Sequence, residues 1–439
     1  MVVCVIPLCI FSCNDVHWHE GSLMTAAAAI SVAPSGFSHR PDLSTAVTSR
    51  DLGSAPRHRW FYFPHSYSYR LVDEILDHWD LRPGGVVADN FAGSGTTLLA
   101  ARQRGLAALG FDLSPLAVAA STAKIASCDV GALERANRRI LAAPPVDPPR
   151  VADRLTRAFT EAELREMFTL LTPIRALRTA RPFFVVAFLS AMREFSRAVP
   201  DGGWFRWREW PDRSTEVREA FTSRVSLMLA DVRTLNWPES GDRVAEMRCA
   251  DARRLPVGSS SVDGLITSPP YANRHDYSRV FHIELLLMGE AEAEVTTLRH
   301  RSIRSHVEAK PPRGLARRLA AYRPPLLLTE VLEALPAATE ARVRRFLWGY
   351  FEDLYLSLVE VERVLRPGGR AAYVVGNVRH GGVMVPVDEI SAELVIQAGL
   401  EFEEAWVVRE RGNAAQQMGR YGRQGSRESV ILLSKGASP

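Results

Sequence analysis

The chain of 439 residues has no apolar run near the roughly 20 residues that a spanning helix needs, no CxxC pair and no internal repeat. Its five cysteines, Cys4, Cys9, Cys13, Cys128 and Cys249, are scattered without a histidine at metal-ligand spacing. Neither a disulfide framework nor a metal site is therefore expected, and the pattern is that of a reduced, cytoplasmic protein. A strong charge bias is also missing: 54 basic against 50 acidic residues leave a net charge of only +4, so any nucleic-acid affinity must come from local clusters. Lysine is almost absent. Only Lys124, Lys310 and Lys435 are lysines and the remaining basic residues are arginines, a bias that a GC-rich genome explains as readily as phosphate recognition.

What is present is ordinary for a globular chain: 46% hydrophobic and 24% charged residues exclude a fully disordered, collagen-like or membrane-embedded protein. The length fits two or three domains, or one enzyme domain with large insertions. Met1 to Phe11 is apolar but lacks the basic flank and cleavage site of a secretory signal, so an upstream extension with Met24 as the true start is expected. The Ala-, Ser-, Pro- and Thr-rich stretch that follows completes an expected flexible arm over residues 1–55.

Beyond the arm the pattern alternates. Leu71, Ile75, Leu76 and Trp79 recur at helical spacing before Arg82-Pro83-Gly84-Gly85; the strand Val86 to Asp89 then runs through a Gly-rich turn, Phe91 to Thr97, into a helix ending at Gly105. Ala107 to Phe111 is a second strand closed by Asp112, and Ser114-Pro115 opens the next helix. Two βα units in so short a span announce an α/β sheet. Gly131 to Asn236 then reads as a mainly helical insertion. Strands resume at Ala245 to Cys249 and at Val262 to Thr267, and a second helical excursion fills about 290–340. A helix Arg342 to Leu365, a strand Ala371 to Val375, a helix Val387 to Ala398 and two strands, Phe402 to Val408 and Ser429 to Leu433, close the chain, the last two as a hairpin. The expected division is an arm (1–55), a cofactor-binding half (56–130), a helical insertion suited to target recognition (131–240) and a catalytic half (241–439).

A strand ending in an acid, a glycine turn, and a second strand ending in an acid 23 residues on form a nucleoside-type cofactor site at the carboxyl edge of a parallel sheet. Gly93 and Gly95 let the backbone approach the ligand, and Asp112 is placed to bind ribose hydroxyls. The dinucleotide fingerprint fails because Leu98 occupies its third glycine position, and the P-loop fails because no lysine follows the turn. The second signal is Thr267-Ser268-Pro269-Pro270-Tyr271 at a strand end, downstream of Asp251. An exocyclic amine conjugated to a base ring is a poor nucleophile until acceptors hold its hydrogens and favour a pyramidal nitrogen. Ser268 and the Pro269 carbonyl can be those acceptors; Pro269 and Pro270 stiffen the loop, and Tyr271 offers an aromatic face to an extruded base. Neither Cys128 nor Cys249 lies in a Pro-Cys loop, which argues against cytosine-C5 chemistry.

In these motifs the chain resembles the S-adenosylmethionine-dependent DNA amino-methyltransferases with an SPPY tetrapeptide, usually cytosine-N4 enzymes, over about Trp60 to Lys124 and Arg248 to Lys435. The resemblance implies a Rossmann-like class I methyltransferase sheet with helical insertions and a C-terminal antiparallel hairpin, S-adenosylmethionine as cofactor and DNA as partner. It implies cofactor contacts from Phe63, Asp89, Phe91, Ala92, Gly93, Gly95, Thr96, Asp112, Leu113, Asp251 and Ala252, and base contacts from Ser268, Pro269, Pro270 and Tyr271. A restriction nuclease or another defence component is a candidate partner. The family's Asp-Pro-Phe is here Asp89-Asn90-Phe91, for which a less rigid turn is expected.

The cofactor half preceding the tetrapeptide also matches RNA guanine-N2 enzymes, so methylation of tRNA or rRNA bases is the rival reading; DNA adenine N6 is another. A non-catalytic nucleic-acid-binding protein with a retained cofactor fold is the rival of a different class. Candidate nucleic-acid contacts are Trp204, Arg206, Trp207 and Arg208, where aromatics and arginines interleave; Asn273 and Arg274, just after the tetrapeptide; and Arg411, Arg420 and Arg423 in a Gly-rich basic loop. An aromatic cluster packed on the insertion's core and a solvated hairpin tip are the plain alternatives for the first and last groups. Asn377, at a strand end, is a candidate for substrate hydrogen bonding, and His275 for capping the next helix.

Overall fold

The computed structural model describes residues 36–201, 204–210, 215–235, 237, 245–339, 341–412 and 425–437. Twelve strands occur among them: β1 (Phe37–His39), β2 (Val86–Asp89), β3 (Ala107–Asp112), β4 (Ala198–Asp201), β5 (Trp204–Trp207), β6 (Ala245–Cys249), β7 (Val262–Thr267), β8 (Leu365–Gly376), β9 (Val378–His380), β10 (Val383–Val385), β11 (Glu401–Gly412) and β12 (Gly425–Ser434). Eight build one sheet in the order β1-β11-β12-β8-β7-β2-β3-β6. The stretch β8-β7-β2-β3-β6 is parallel, whereas β12 runs antiparallel to both β8 and β11, giving the expected terminal hairpin. From β2 the chain adds β3 and β6 on one side, then returns to add β7 and β8 on the other. That reversal places a crevice between the carboxyl ends of β2 and β7, and both the glycine turn and the tetrapeptide start there.

Local chemistry explains the central elements. Val87 and Ala88 are fully buried, as a strand covered on both faces requires. Gly110 in β3 leaves room for Leu98 and Met247: a Cβ there would lie 2.3 Å from the Leu98 side chain. The helix Pro115–Ile125 has proline in its first turn and a Ser114 cap. The chain Arg366–Gly369 lies inside β8 at a register shift, where Val262 pairs with Leu365 but Gly264 pairs with Arg370.

The insertion is helical, with helices Val130–Leu141, Glu161–Ala176, Arg181–Met192 and Val217–Thr234. Its apolar faces share one core with the helix Pro115–Ile125 and with Trp60 and Phe61. It also contains a hairpin that the sequence did not announce, with β4 antiparallel to β5 and Asp201 opposite Trp204. The expected arm is corrected from Gly36 onward. β1 extends the sheet parallel to β11, and Leu43, Val47 and Leu52 are buried. Small polar residues between these three hid the pattern. Among the described residues no helix is long and apolar enough to cross a membrane.

Candidate active site

A cleft of about 460 Å³ opens at the β2/β7 switch. Phe63, Asp89, Phe91, Ala92, Gly93, Thr96, Asp112, Leu113, Asp251 and Ala252 line it, together with Ser268, Pro269, Pro270, Tyr271 and Asn273. Residues that the sequence singled out far apart thus share one cavity. Gly95 lies just behind it with φ +77°, and a Cβ there would stand 2.7 Å from Ser121 Oγ, so the position admits glycine alone. Gly93, at φ +48°, accepts a hydrogen bond from Ser121 Oγ on its carbonyl at 3.0 Å.

The two strand-end acids differ. Asp89 is 2% exposed and accepts from Thr267 Oγ1 at 2.6 Å, the Phe91 amide at 3.0 Å and the Tyr67 hydroxyl at 3.1 Å. Burial pushes its carboxyl up to about 6 despite these donors. It therefore braces β2, β7 and the chain before β2 from within. Asp112 accepts from the Gly93 amide at 3.0 Å and the Ser114 amide at 2.8 Å, which fixes the glycine turn against β3. Burial raises its pKa as well. Asp251 takes both arms of the Arg253 guanidinium, at 2.9 and 2.8 Å. Burial works against it, yet Arg253 holds its carboxyl below the usual range. Arg253 in turn reaches the buried Asp353 at 2.9 Å.

Asn90, in place of proline, does not leave a loose turn. It is buried and donates to Ser357 Oγ at 3.0 Å, joining β2 to the helix Ala341–Val364. At the tetrapeptide, Ser268 Oγ donates to the Val374 carbonyl of β8 at 3.0 Å. Its proton is thereby committed and its lone pairs remain available as acceptors. The Tyr271 ring packs over Gly376, where a Cβ would come within 2.7 Å of the ring.

The nucleic-acid candidates separate. Trp204 is 43% exposed, stacked on Phe205, with the Arg279 guanidinium 4.3 Å from its ring centre. Arg206 is also exposed, 3.8 Å from Asp201. Trp207 instead packs edge-on to Phe205 under Arg157, and Arg208 donates to the Ser196 and Glu194 carbonyls. These two hold the hairpin together. Arg274 has a left-handed backbone, φ 72°, and its amide donates to the Ser305 carbonyl. Asn377 accepts from the Asp388 amide at 3.1 Å, which ties it to the helix Val387–Gln397. Asp276, not His275, caps the short helix Tyr277–Val280. Arg411 lies in β11 opposite Ser426, with its side chain outside the described residues, as are Arg420 and Arg423 altogether.

Sequence reasoning missed several walls of the cleft. Ser302, Ile303, Ser305 and His306 come from the second helical excursion, which carries no motif, and Thr48 to Arg50 come from the segment read as an arm. Phe281, one helical turn beyond Tyr277, also lines the cleft and packs on Phe63 with ring centres 4.8 Å apart. Aromatics spaced at one helical turn after the tetrapeptide were the available signal.

Among known proteins, residues 36–123 match the family model described as DNA methylase. The chain is 25% identical to the Type II methyltransferase M.BsoBI of Geobacillus stearothermophilus over 86% of this chain and 85% of that protein. It is 26% identical to the Type II methyltransferase M.AvaI of a Nostoc species, with 87% of each covered. A solved SAM-dependent methyltransferase from Methanosarcina mazei is similar at 10% identity, over 83% of this chain and 98% of that one, with a TM-score of 0.29. The strand order of the sheet, the cleft at its switch point, the family-model match and the two Type II relatives agree with the motif resemblance: the chain is similar to the S-adenosylmethionine-dependent DNA amino-methyltransferases.

Proposed function

We propose that the protein methylates the exocyclic N4 amine of cytosine at a specific DNA site, on a base extruded from the duplex. The observation that carries this reading is the Ser268 hydroxyl, which is held by Val374 so that it accepts rather than donates, in a Pro-Pro loop above the cofactor cleft. The chain fits the cofactor. The left-handed glycine turn leaves its backbone open to a ligand, and Asp112 stands at the edge of the cleft where ribose hydroxyls would donate. Leu113, Ala252 and Phe281 offer apolar surface for the adenine. Bound there, S-adenosylmethionine supplies an electrophilic sulfonium methyl.

The protein's own part is positioning and polarisation. Ser268 Oγ and the Pro269 carbonyl accept the amine's two hydrogens, draw the lone pair out of ring conjugation and aim it at the methyl carbon. Once methylated, the nitrogen would be cationic, and the same two acceptors would stabilise it until it gives its surplus proton to solvent water. Tyr271, seated on Gly376, stacks on the base. Asp89 and Asp251 act behind this surface, as the brace of the crevice and the anchor of the β6 end. Trp204 and Arg206 are the exposed members of the hairpin that meet the DNA, with the insertion as the recognition element. The relatives are named as Type II methyltransferases, which supports a restriction nuclease as the functional partner. Incubation of the purified protein with methyl-labelled S-adenosylmethionine and either DNA or RNA tests the reading. Label entering DNA is expected; label entering RNA alone would overturn it.

A further inference from the structure

The helix Pro115–Ile125 ends in one of the chain's three lysines, Lys124, which is 1% exposed. Its ammonium group donates to the Phe61 carbonyl at 3.1 Å and to the Ser94 carbonyl at 3.0 Å. Those two carbonyls belong to separate segments, both of which contribute lining residues to the cofactor cleft. Ser94 is in the glycine turn after β2, whereas Phe61 opens the aromatic segment that supplies Tyr62, Phe63, Pro64 and His65 to the cleft. Among the described residues no other side chain donates to either carbonyl. The same helix supplies Ser121, which holds the Gly93 carbonyl, so two consecutive carbonyls of the turn are fixed from one helix.

Residue type is informative here. In a chain that places arginine at nearly every basic position, this one is a lysine buried between two carbonyls that converge on a single nitrogen. A planar guanidinium, which presents its donors as a wide fork, does not fit that geometry. We propose that Lys124 is a positioning residue for the cofactor: it docks the segment 61–65 onto the glycine turn, and so joins these two lining segments before ligand enters.

The neighbours make the arrangement unusual. No carboxylate is paired with Lys124 among the described residues; burial and the Lys124 charge keep the neighbouring His58 neutral, and the Arg57 guanidinium donates to the Lys124 main-chain carbonyl at 2.9 Å. Burial brings the amine down to about 7. The ammonium and the neutral amine each carry enough N–H groups for both carbonyls, so the clamp holds in either state.

This inference rests on the methyltransferase reading, and calorimetry with S-adenosylhomocysteine separates the two. Lys124→Met keeps the aliphatic stem and removes the donors. It is expected to weaken S-adenosylhomocysteine binding and to raise KM for S-adenosylmethionine about tenfold, with kcat at saturating cofactor within about twofold of wild type. Lys124→Arg is expected not to restore affinity. A fall in kcat with cofactor affinity intact, or unchanged affinity, overturns the proposal. Hydrogen exchange on the wild-type protein gives a second measurement should Lys124→Met fail to fold. S-adenosylhomocysteine is expected to protect residues 61–65 and 93–97 together, and protection of the turn alone overturns the proposal. A wild type that does not bind S-adenosylhomocysteine overturns the methyltransferase reading itself.

Discussion

Ser268→Ala isolates the proposed chemistry. The substitution removes the hydroxyl whose proton lies on the Val374 carbonyl at 3.0 Å and whose lone pairs face the cleft. An acceptor that meets a nitrogen gaining positive charge contributes about 1.5–3 kcal/mol. At about 1.4 kcal/mol per tenfold, kcat is expected to fall roughly 10- to 150-fold. The lost bond to Val374 is a single neutral one, so stability should fall by only about 1 kcal/mol. Nothing in the Gly93–Asp112 contact changes, so S-adenosylhomocysteine affinity should be preserved. Single-turnover transfer of labelled methyl to a DNA substrate, with calorimetry on the same preparation, reads both quantities. A wild-type rate removes Ser268 from the mechanism, and a rate loss that tracks lost cofactor affinity assigns it to the cleft instead.

Gly95→Ala forces a side chain into a left-handed position, at about 1–2 kcal/mol, and against Ser121 at 2.7 Å, at about 1–3 kcal/mol. Urea unfolding should show about 2–5 kcal/mol of destabilisation together with lost cofactor binding, and unchanged stability would refute the turn geometry. Trp204→Ala should weaken DNA binding about 5- to 150-fold, the worth of one stacked base, without altering cofactor affinity, whereas Trp207→Ala should chiefly lower stability. Equal DNA losses in the two variants would contradict the division between exposed and packed tryptophans.

A pH prediction follows from Asp89, whose carboxyl is raised from 3.8 to about 6. Because the folded state holds this proton more tightly than the unfolded chain, the group's contribution is complete below about pH 4 and is lost as pH rises through about 6. The stability of wild type relative to Asp89→Asn should therefore drop by about 1.4 kcal/mol between pH 5 and pH 7.5. Denaturation curves at the two pH values give the comparison, and a difference independent of pH refutes it.

Much of the crevice was legible because each part of it is local. The run from Val86 to Thr97 is a buried strand followed by a turn needing glycine, and Ser268 to Tyr271 is stiff whatever surrounds it. The roles of the acids were less legible. Nothing in Asp89's own segment shows that Thr267 and Tyr67 converge on it from elsewhere in the chain, making this residue of the cleft wall an internal brace as well. Arg253, two residues from Asp251, was in principle readable as its partner, but its link to Asp353 was not. The hairpin of β4 and β5 escaped notice because an aromatic run packs as readily between helices as in a strand. Residues 36–55 looked like an arm because their few buried apolar side chains are separated by small polar ones.

The most direct test of the central claim is nucleoside mass spectrometry of DNA methylated by the purified protein. N4-methylcytosine, absent from the Ser268→Ala reaction, is the predicted product. N6-methyladenine would keep the amine chemistry and refute the assigned base, and 5-methylcytosine would contradict the mechanism as a whole.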